Sequence, residues 1–228
     1  MCKNKTFISI IPARGGSKRL PRKNIRLLAG KPLISWTIES ALGSKYIDKV
    51  IVSSDDDEIL RISLETGAEI VKRPEYLGSE TATTYDAVMH SLDRYRCYDY
   101  VVLLQPTSPL RTAKHIDEAI ELLVRKNADA VVSVCEMDHN PLWSNTLSDD
   151  MSMDNFIDDK IKNKRSQDLP QYYRLNGAIY ICEYEKLISE KTFFIKNNIY
   201  AYRMERSSSV DIDEEIDFKL VSILIQDR

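Results

Sequence analysis

Short, wholly apolar runs alternate along this chain with longer stretches whose apolar residues recur at helical spacing. Strands covered on both faces read as continuous apolar runs, so the alternation predicts an α/β fold of Rossmann-like type: a mostly parallel sheet with helices on both faces. Strands are expected over Phe7 to Ile11, Lys49 to Ser53, Glu69 to Val71, Tyr100 to Leu104, Ala130 to Val134, Ala178 to Cys182 and Ile199 to Met204. Helices are expected over Asp55 to Thr66, closed by Gly67, over Thr84 to Tyr95, over Ala113 to Arg125, and at the end, where Ile216, Leu220, Ile223 and Leu224 repeat. Another helix follows Gly30-Lys31-Pro32, where Ile34, Ile38, Ala41 and Leu42 repeat.

The pattern breaks between Asp138 and Tyr173, a polar stretch without steady periodicity. Unstructured connections of that length are uncommon in a compact domain unless they are functional or engaged elsewhere. We therefore read residues 1–228 as a single α/β domain, with 138–173 as a protruding arm ordered by a partner subunit. A net charge of −3 leaves no overall electrostatic footprint for nucleic acid or an anionic membrane, so an anionic ligand needs local cations. The cysteines (Cys2, Cys97, Cys135 and Cys182) are scattered, which argues for free thiols in a reducing compartment. The first apolar run is too short for a signal peptide, and no later stretch is long enough to span a bilayer. The expectation is a cytoplasmic protein.

Ligands in open α/β sheets bind beyond the carboxyl ends of the strands, and the polar clusters fall there. The first is Arg14-Gly15-Gly16-Ser17-Lys18-Arg19-Leu20-Pro21-Arg22-Lys23-Asn24. Glycines let a backbone approach phosphate closely, and Arg14, Lys18 and Lys23 carry the charge to neutralise a triphosphate. A solvated basic loop is the plain alternative. The spacing matches neither a Walker A loop nor a dinucleotide fingerprint, which demotes kinase and dehydrogenase. The second cluster is Ser207 to Asp213. In an extended segment Asp211 and Asp213 point the same way, as a Mg²⁺ site completed by substrate phosphates requires. Asp213 also suits a helix cap, and the two roles are compatible. The third is Gln105-Pro106-Thr107-Ser108-Pro109-Leu110-Arg111, a rigid elbow that leaves the Gln105 amide free for a polar ligand. Phe193 and Phe194 fit either a ligand's apolar face or the core. None of His90, His115 and His139 is assigned a catalytic role.

Taken together and in order, Ile11 to Lys18, Leu103 to Arg111, Asn176 to Tyr180 and Ser209 to Asp213 resemble the acylneuraminate cytidylyltransferase (CMP-sialic acid synthetase) family, which includes legionaminic and pseudaminic acid cytidylyltransferases. The resemblance covers essentially the whole chain. It implies that Arg14, Ser17, Lys18 and Lys23 bind the triphosphate, and that Asn24, Arg73 and Thr84 hold cytosine and ribose. It implies metal ligation by Asp211 and Asp213, and an acidic-sugar pocket lined by Gln105, Tyr180, Phe193 and Phe194. The arm becomes a dimerisation segment reaching into the partner's active site. Three positions depart from the family: Arg19 stands where many members have glycine, Trp143 stands where some sialic acid enzymes carry lysine, and Arg165, a sugar-side candidate, is displaced by one residue. The last two bear on the sugar, not on the nucleotide chemistry.

The implied reaction is attack by the anomeric hydroxyl of a nine-carbon 2-keto sugar acid of the N-acetylneuraminic type on the α-phosphate of CTP. Arg14, Lys18 and Asp211 are the catalytic candidates, with Mg²⁺, or Mn²⁺ in its place, as cofactor and a homodimer as the working unit. Legionaminic or pseudaminic acid is the alternative acceptor. A non-catalytic CTP or sugar-nucleotide sensor is the rival from another class, and a metal-binding Asp211/Asp213 pair speaks against it.

Overall fold

The computed structural model of the chain describes residues 5–79 and 81–226. Cys2 lies outside them. The elements run β1 (Phe7–Pro12), β2 (Leu27–Leu28), β3 (Lys31–Pro32), α1 (Leu33–Leu42), β4 (Lys49–Ser54), α2 (Asp57–Glu65), β5 (Glu69–Lys72) and α3 (Thr84–Leu92). They continue as β6 (Tyr100–Leu103), α4 (Ala113–Lys126), β7 (Ala130–Glu136), β8 (Tyr173–Glu183), α5 (Tyr184–Glu190), β9 (Ile199–Arg203) and α6 (Glu215–Gln226).

A seven-stranded sheet is ordered β5-β4-β1-β6-β8-β7-β9, with β2 and β3 forming a separate small ribbon. Every pairing among β5, β4, β1 and β6 is parallel, as is β7 with β9. Only β8 runs the other way, antiparallel to both its neighbours. It is also longer than its apolar core of Ala178 to Cys182, because it extends back to Tyr173 and so takes in the end of the expected arm.

Strand alternation explains the layering. Ile8 and Ile10 of β1 pack with Val88 and Leu92 of α3 and Leu187 of α5 on one face. Phe7 and Ile11 pack with Ile34 and Ile38 of α1, Ile59 of α2 and Ile116 and Ile120 of α4 on the other. A third cluster joins Leu20, Leu28, Leu33, Leu110 and Ile212 to Phe218 and Val221 of α6. That last helix differs from its sequence reading: Ile216, Leu220 and Ile223 are exposed. Its apolar residues occupy more than one face, and the Phe218/Val221 face is the one that meets the protein.

Local signals set the helix ends. The Asp56 carboxylate caps α2 by accepting from the amides of Glu58 and Ile59, and Gly67 follows with φ +102°, as a left-handed exit requires. Thr83 and Asp86 form a capping box on α3, and Thr112 and His115 form another on α4. The stretch after β7 carries only short 3₁₀ turns at Pro141–Trp143 and Ser166–Asp168 before β8 begins.

Candidate active site

Because β5, β4, β1 and β6 are parallel, the connections that leave Pro12, Ser54, Lys72 and Leu103 emerge on one edge of the sheet. The β1 connection leads to β4 on one side while β6 flanks β1 on the other, the kind of switch point at which α/β sheets open a crevice. A cavity of about 390 Å³ lies there. It is lined by Arg14, Ser17, Lys23 and Asn24 after β1, Arg73 after β5, Thr84 at the start of α3, Gln105 after β6, and Asp211 and Asp213 after β9.

The basic loop is tied down at both ends. The Asn24 amide donates to the Arg14 carbonyl (3.0 Å), which folds the loop back on itself. The Lys23 ammonium donates to the Ile212 carbonyl (2.6 Å) and to Asp213 (3.2 Å), and Arg19 also binds Asp213 (2.9 Å). The loop after β1 is thus joined to the aspartate segment, which comes from β9 at the far edge of the sheet. That segment crosses back because the Ile212 amide donates to the Thr107 carbonyl (2.8 Å). A buried polar chain fixes its start: Ser133 donates to Asn176 (2.6 Å), and Asn176 donates to the Ser209 hydroxyl (2.9 Å).

The two carboxylates differ in their surroundings. Asp213 is occupied by Lys23 and Arg19. The cap at the start of α6 is made by Asp217, which accepts from the amides of Asp213 and Glu214 (2.9 and 2.8 Å). Asp211 has one oxygen, Oδ1, shielded from solvent and without a hydrogen-bond partner. Burial pushes its carboxyl above the usual carboxylate range. The Thr107 hydroxyl and Lys23 oppose that shift, and the charges of Asp213 and Asp217 add to it. A cation would satisfy both the orphaned oxygen and the repulsion between the carboxylates. No group of three or more His, Cys, Asp or Glu side chains suited to a metal occurs among the described residues. Mg²⁺ does not need one when phosphates complete its shell, so Asp211 and Asp213 fit such an ion.

Gly177 has φ +74°, and a Cβ there would lie 3.0 Å from Gln105 Oε1 and 3.8 Å from Asp211 Oδ2. Its bareness leaves room for the Gln105 side chain, with Asp211 just beyond. Beside them, Tyr180 makes edge contacts with Phe193 and Phe194 at centroid separations of 6.0 and 5.9 Å. Burial raises the Tyr180 phenol, and the negative charge of Asp211 adds to the rise. Phe193 is buried in the core, whereas Phe194 is half exposed.

Not every candidate converges. Lys18 is exposed, and neither it nor Tyr180, Phe193 and Phe194 is among the cavity-lining residues. Arg165 stands on the arm, paired with Asp168 at the surface (3.0 Å), and is not among the cavity-lining residues. Thr107 and Leu77 line the cavity without having been singled out, Thr107 because it reads as part of a turn and Leu77 because it sits in a short apolar patch.

The family model described as Cytidylyltransferase matches residues 8–228. The chain is 42% identical over 214 residues to the N-acylneuraminate cytidylyltransferase of Streptococcus agalactiae serotype V, covering 92% of this chain and 51% of that protein. It is 35% identical over 231 residues to the CMP-N,N'-diacetyllegionaminic acid synthase of Legionella pneumophila, covering 96% of each. The chain therefore spans about half the length of the streptococcal relative and nearly all of the Legionella one. Among solved structures, a CMP:2-keto-3-deoxy-manno-octonic acid synthetase complexed with CTP matches with a TM-score of 0.74 at 16% identity, over 97% of this chain and 99% of that one. That likeness establishes the fold.

Proposed function

The chain belongs to the cytidylyltransferase family, and from that premise we propose that it transfers CMP from CTP to the anomeric hydroxyl of a nine-carbon 2-keto sugar acid, releasing pyrophosphate. One observation carries the reading. The cationic loop after β1, the Gln105 elbow and the Asp211/Asp213 pair line one cavity, and a buried oxygen of Asp211 lacks a partner there.

In this reading the anomeric oxygen attacks the α-phosphorus, the bond to the bridging oxygen of the β-phosphate breaks, and pyrophosphate departs. Arg14, Ser17, Lys18 and Lys23 hold the triphosphate and the leaving pyrophosphate, while Asn24, Arg73 and Thr84 hold the nucleoside. Transfers of this kind are accelerated mainly by positioning and charge neutralisation. A divalent cation, Mg²⁺ or Mn²⁺, held by Asp211 and Asp213 together with phosphate oxygens, would neutralise developing charge and acidify the attacking hydroxyl. Gln105, Tyr180 and the half-exposed Phe194 form the wall for the sugar, and Phe193 backs Tyr180 from the core. Arg165 belongs to the arm, which in a homodimer reaches the partner's site, and we assign it to that site because it does not line its own cavity. The described cysteines, Cys97, Cys135 and Cys182, are free thiols, in keeping with a cytoplasmic setting.

N-acetylneuraminic acid is the first acceptor to try, given the 42% identity to the streptococcal relative. The legionaminic relative, matched over 96% of its length, supports diacetyllegionaminic acid as a second. Pyrophosphate release from CTP with Mg²⁺ tests this, with N-acetylneuraminic, diacetyllegionaminic and pseudaminic acids in parallel. Turnover with one of them fixes the sugar, and silence with all three while CTP still binds refutes the assignment for these acceptors.

A further inference from the structure

We infer that Asp55, a residue outside the cavity lining, is a positioning residue that couples the loop after β1 to the loop after β5 and so sets nucleotide affinity. This rests on the reading that CTP occupies the cavity. A single oxygen, Asp55 Oδ1, accepts from the Arg73 guanidinium (3.1 Å) and from the Gly15 backbone amide (3.4 Å). Arg73 lines the cavity, yet its side chain is only 4% exposed. Burial lowers its basicity, Asp55 offsets that effect, and the nearby charge of Arg14 works against it. Arg14 and Arg73 therefore oppose each other in the cavity wall, and Asp55 is the carboxylate that pairs with the buried Arg73.

The fit around this carboxylate is close. A Cβ on Gly78 would lie 2.6 Å from Asp55 Cγ and 2.7 Å from its Oδ2. Gly78 does not have a left-handed backbone, and the three atoms nearest to such a Cβ all belong to Asp55. The bareness of Gly78 leaves Asp55 the room to face Arg73 and Gly15. A side chain held this tightly, with one oxygen shared between two loops, preorganises both for a ligand that spans them.

The test measures CTP affinity by calorimetry and steady-state kinetics for the wild type, Asp55→Asn, Gly78→Ala, Arg73→Met and the Asp55→Asn/Arg73→Met double variant, each first confirmed as folded by its melting transition. Asp55→Asn keeps the shape and removes the charge, and Gly78→Ala keeps the charge and displaces it. Each is expected to weaken CTP binding by about tenfold or more with kcat within about threefold of wild type. In the Arg73→Met background, Asp55→Asn should cost less than about a further twofold, because its effect runs through Arg73. Should Asp55→Asn fail to fold, Gly78→Ala carries the test alone. Affinity within about twofold of wild type in the folded variants, or the same loss with and without Arg73, overturns the inference. A wild type that binds no CTP sinks the function reading and this inference with it, whereas wild-type binding unaffected by either variant sinks this inference alone.

Discussion

Asp211 is held in the folded chain at a cost, since its Oδ1 is buried without a partner and its ionised form is opposed by burial and by Asp213. Residues in that condition are candidates for function, because stability alone would have removed them. Asp211→Asn should therefore melt higher than wild type when no ligand is present. The gain is on the order of 1 kcal/mol, the scale of removing a carboxylate charge that burial and neighbouring carboxylates disfavour. The same variant should lose about a hundredfold or more in turnover, while CTP binding changes far less. Calorimetry and pyrophosphate release check the two halves, and a variant that is both less stable and fully active refutes the role. At this scale the Arg14 loop and the aspartate pair stood out by their places after strands, although a solvated basic loop and a helix cap explain them too, and the structure brings both to one cavity. Asp55 was not, because it read as the first residue of a helix, whereas α2 starts at Asp57 behind the Asp56 cap. Thr107 likewise passed for part of a turn.

Among the elements, α2 and α6 make opposite cases. The Asp56 cap also binds Arg22, so one carboxylate anchors both the helix start and the basic loop. Burial tends to raise its pKa, but the Arg22 contact and the amides of Ile59 and Glu58 outweigh it, leaving the pKa below the ordinary 3.8. A depressed acid stabilises the fold above its unfolded value and loses that contribution as pH falls through the folded one. Asp56→Ala should thus cost about 1–2 kcal/mol at neutral pH, with the difference from wild type closing in acid below 3.8. Urea unfolding at several pH values reads this directly. For α6 the helix was legible but its buried face was not, because apolar residues lie on more than one side and periodicity cannot choose between them. Phe218→Ala, at a buried position, should cost about 3 kcal/mol, whereas Ile216→Ser, at an exposed one, should stay within about 0.5 kcal/mol. Equal costs would mean that the exposed side of α6 is covered in solution.

For the molecule as a whole, the alternation of apolar runs and helical stretches was enough to predict a mostly parallel sheet with helices on both faces. The reversal of β8 was not legible: a central strand reads as a continuous apolar run whichever way it runs, and its first residue, Tyr173, read as the end of the arm. The order of strands, and with it the return of the aspartate segment from β9 to Thr107, depends on long-range pairing that no local pattern encodes. The arm exposes Leu147, Met151 and Met153, the apolar surface a partner subunit would cover. Light scattering should give a mass twice the 26.3 kDa of one chain, and Met151→Asp/Met153→Asp should shift it to a single chain and reduce transfer with it. A fully active monomer refutes the dimeric reading. The most direct measurement follows the α-phosphorus itself: CTP labelled there is incubated with Mg²⁺ and N-acetylneuraminic, diacetyllegionaminic or pseudaminic acid, and the label is traced by chromatography. Label recovered in a CMP–sugar alongside unlabelled pyrophosphate is the predicted result. Label that stays in CTP with every acceptor, although the protein binds CTP, would show that these residues do not perform the transfer.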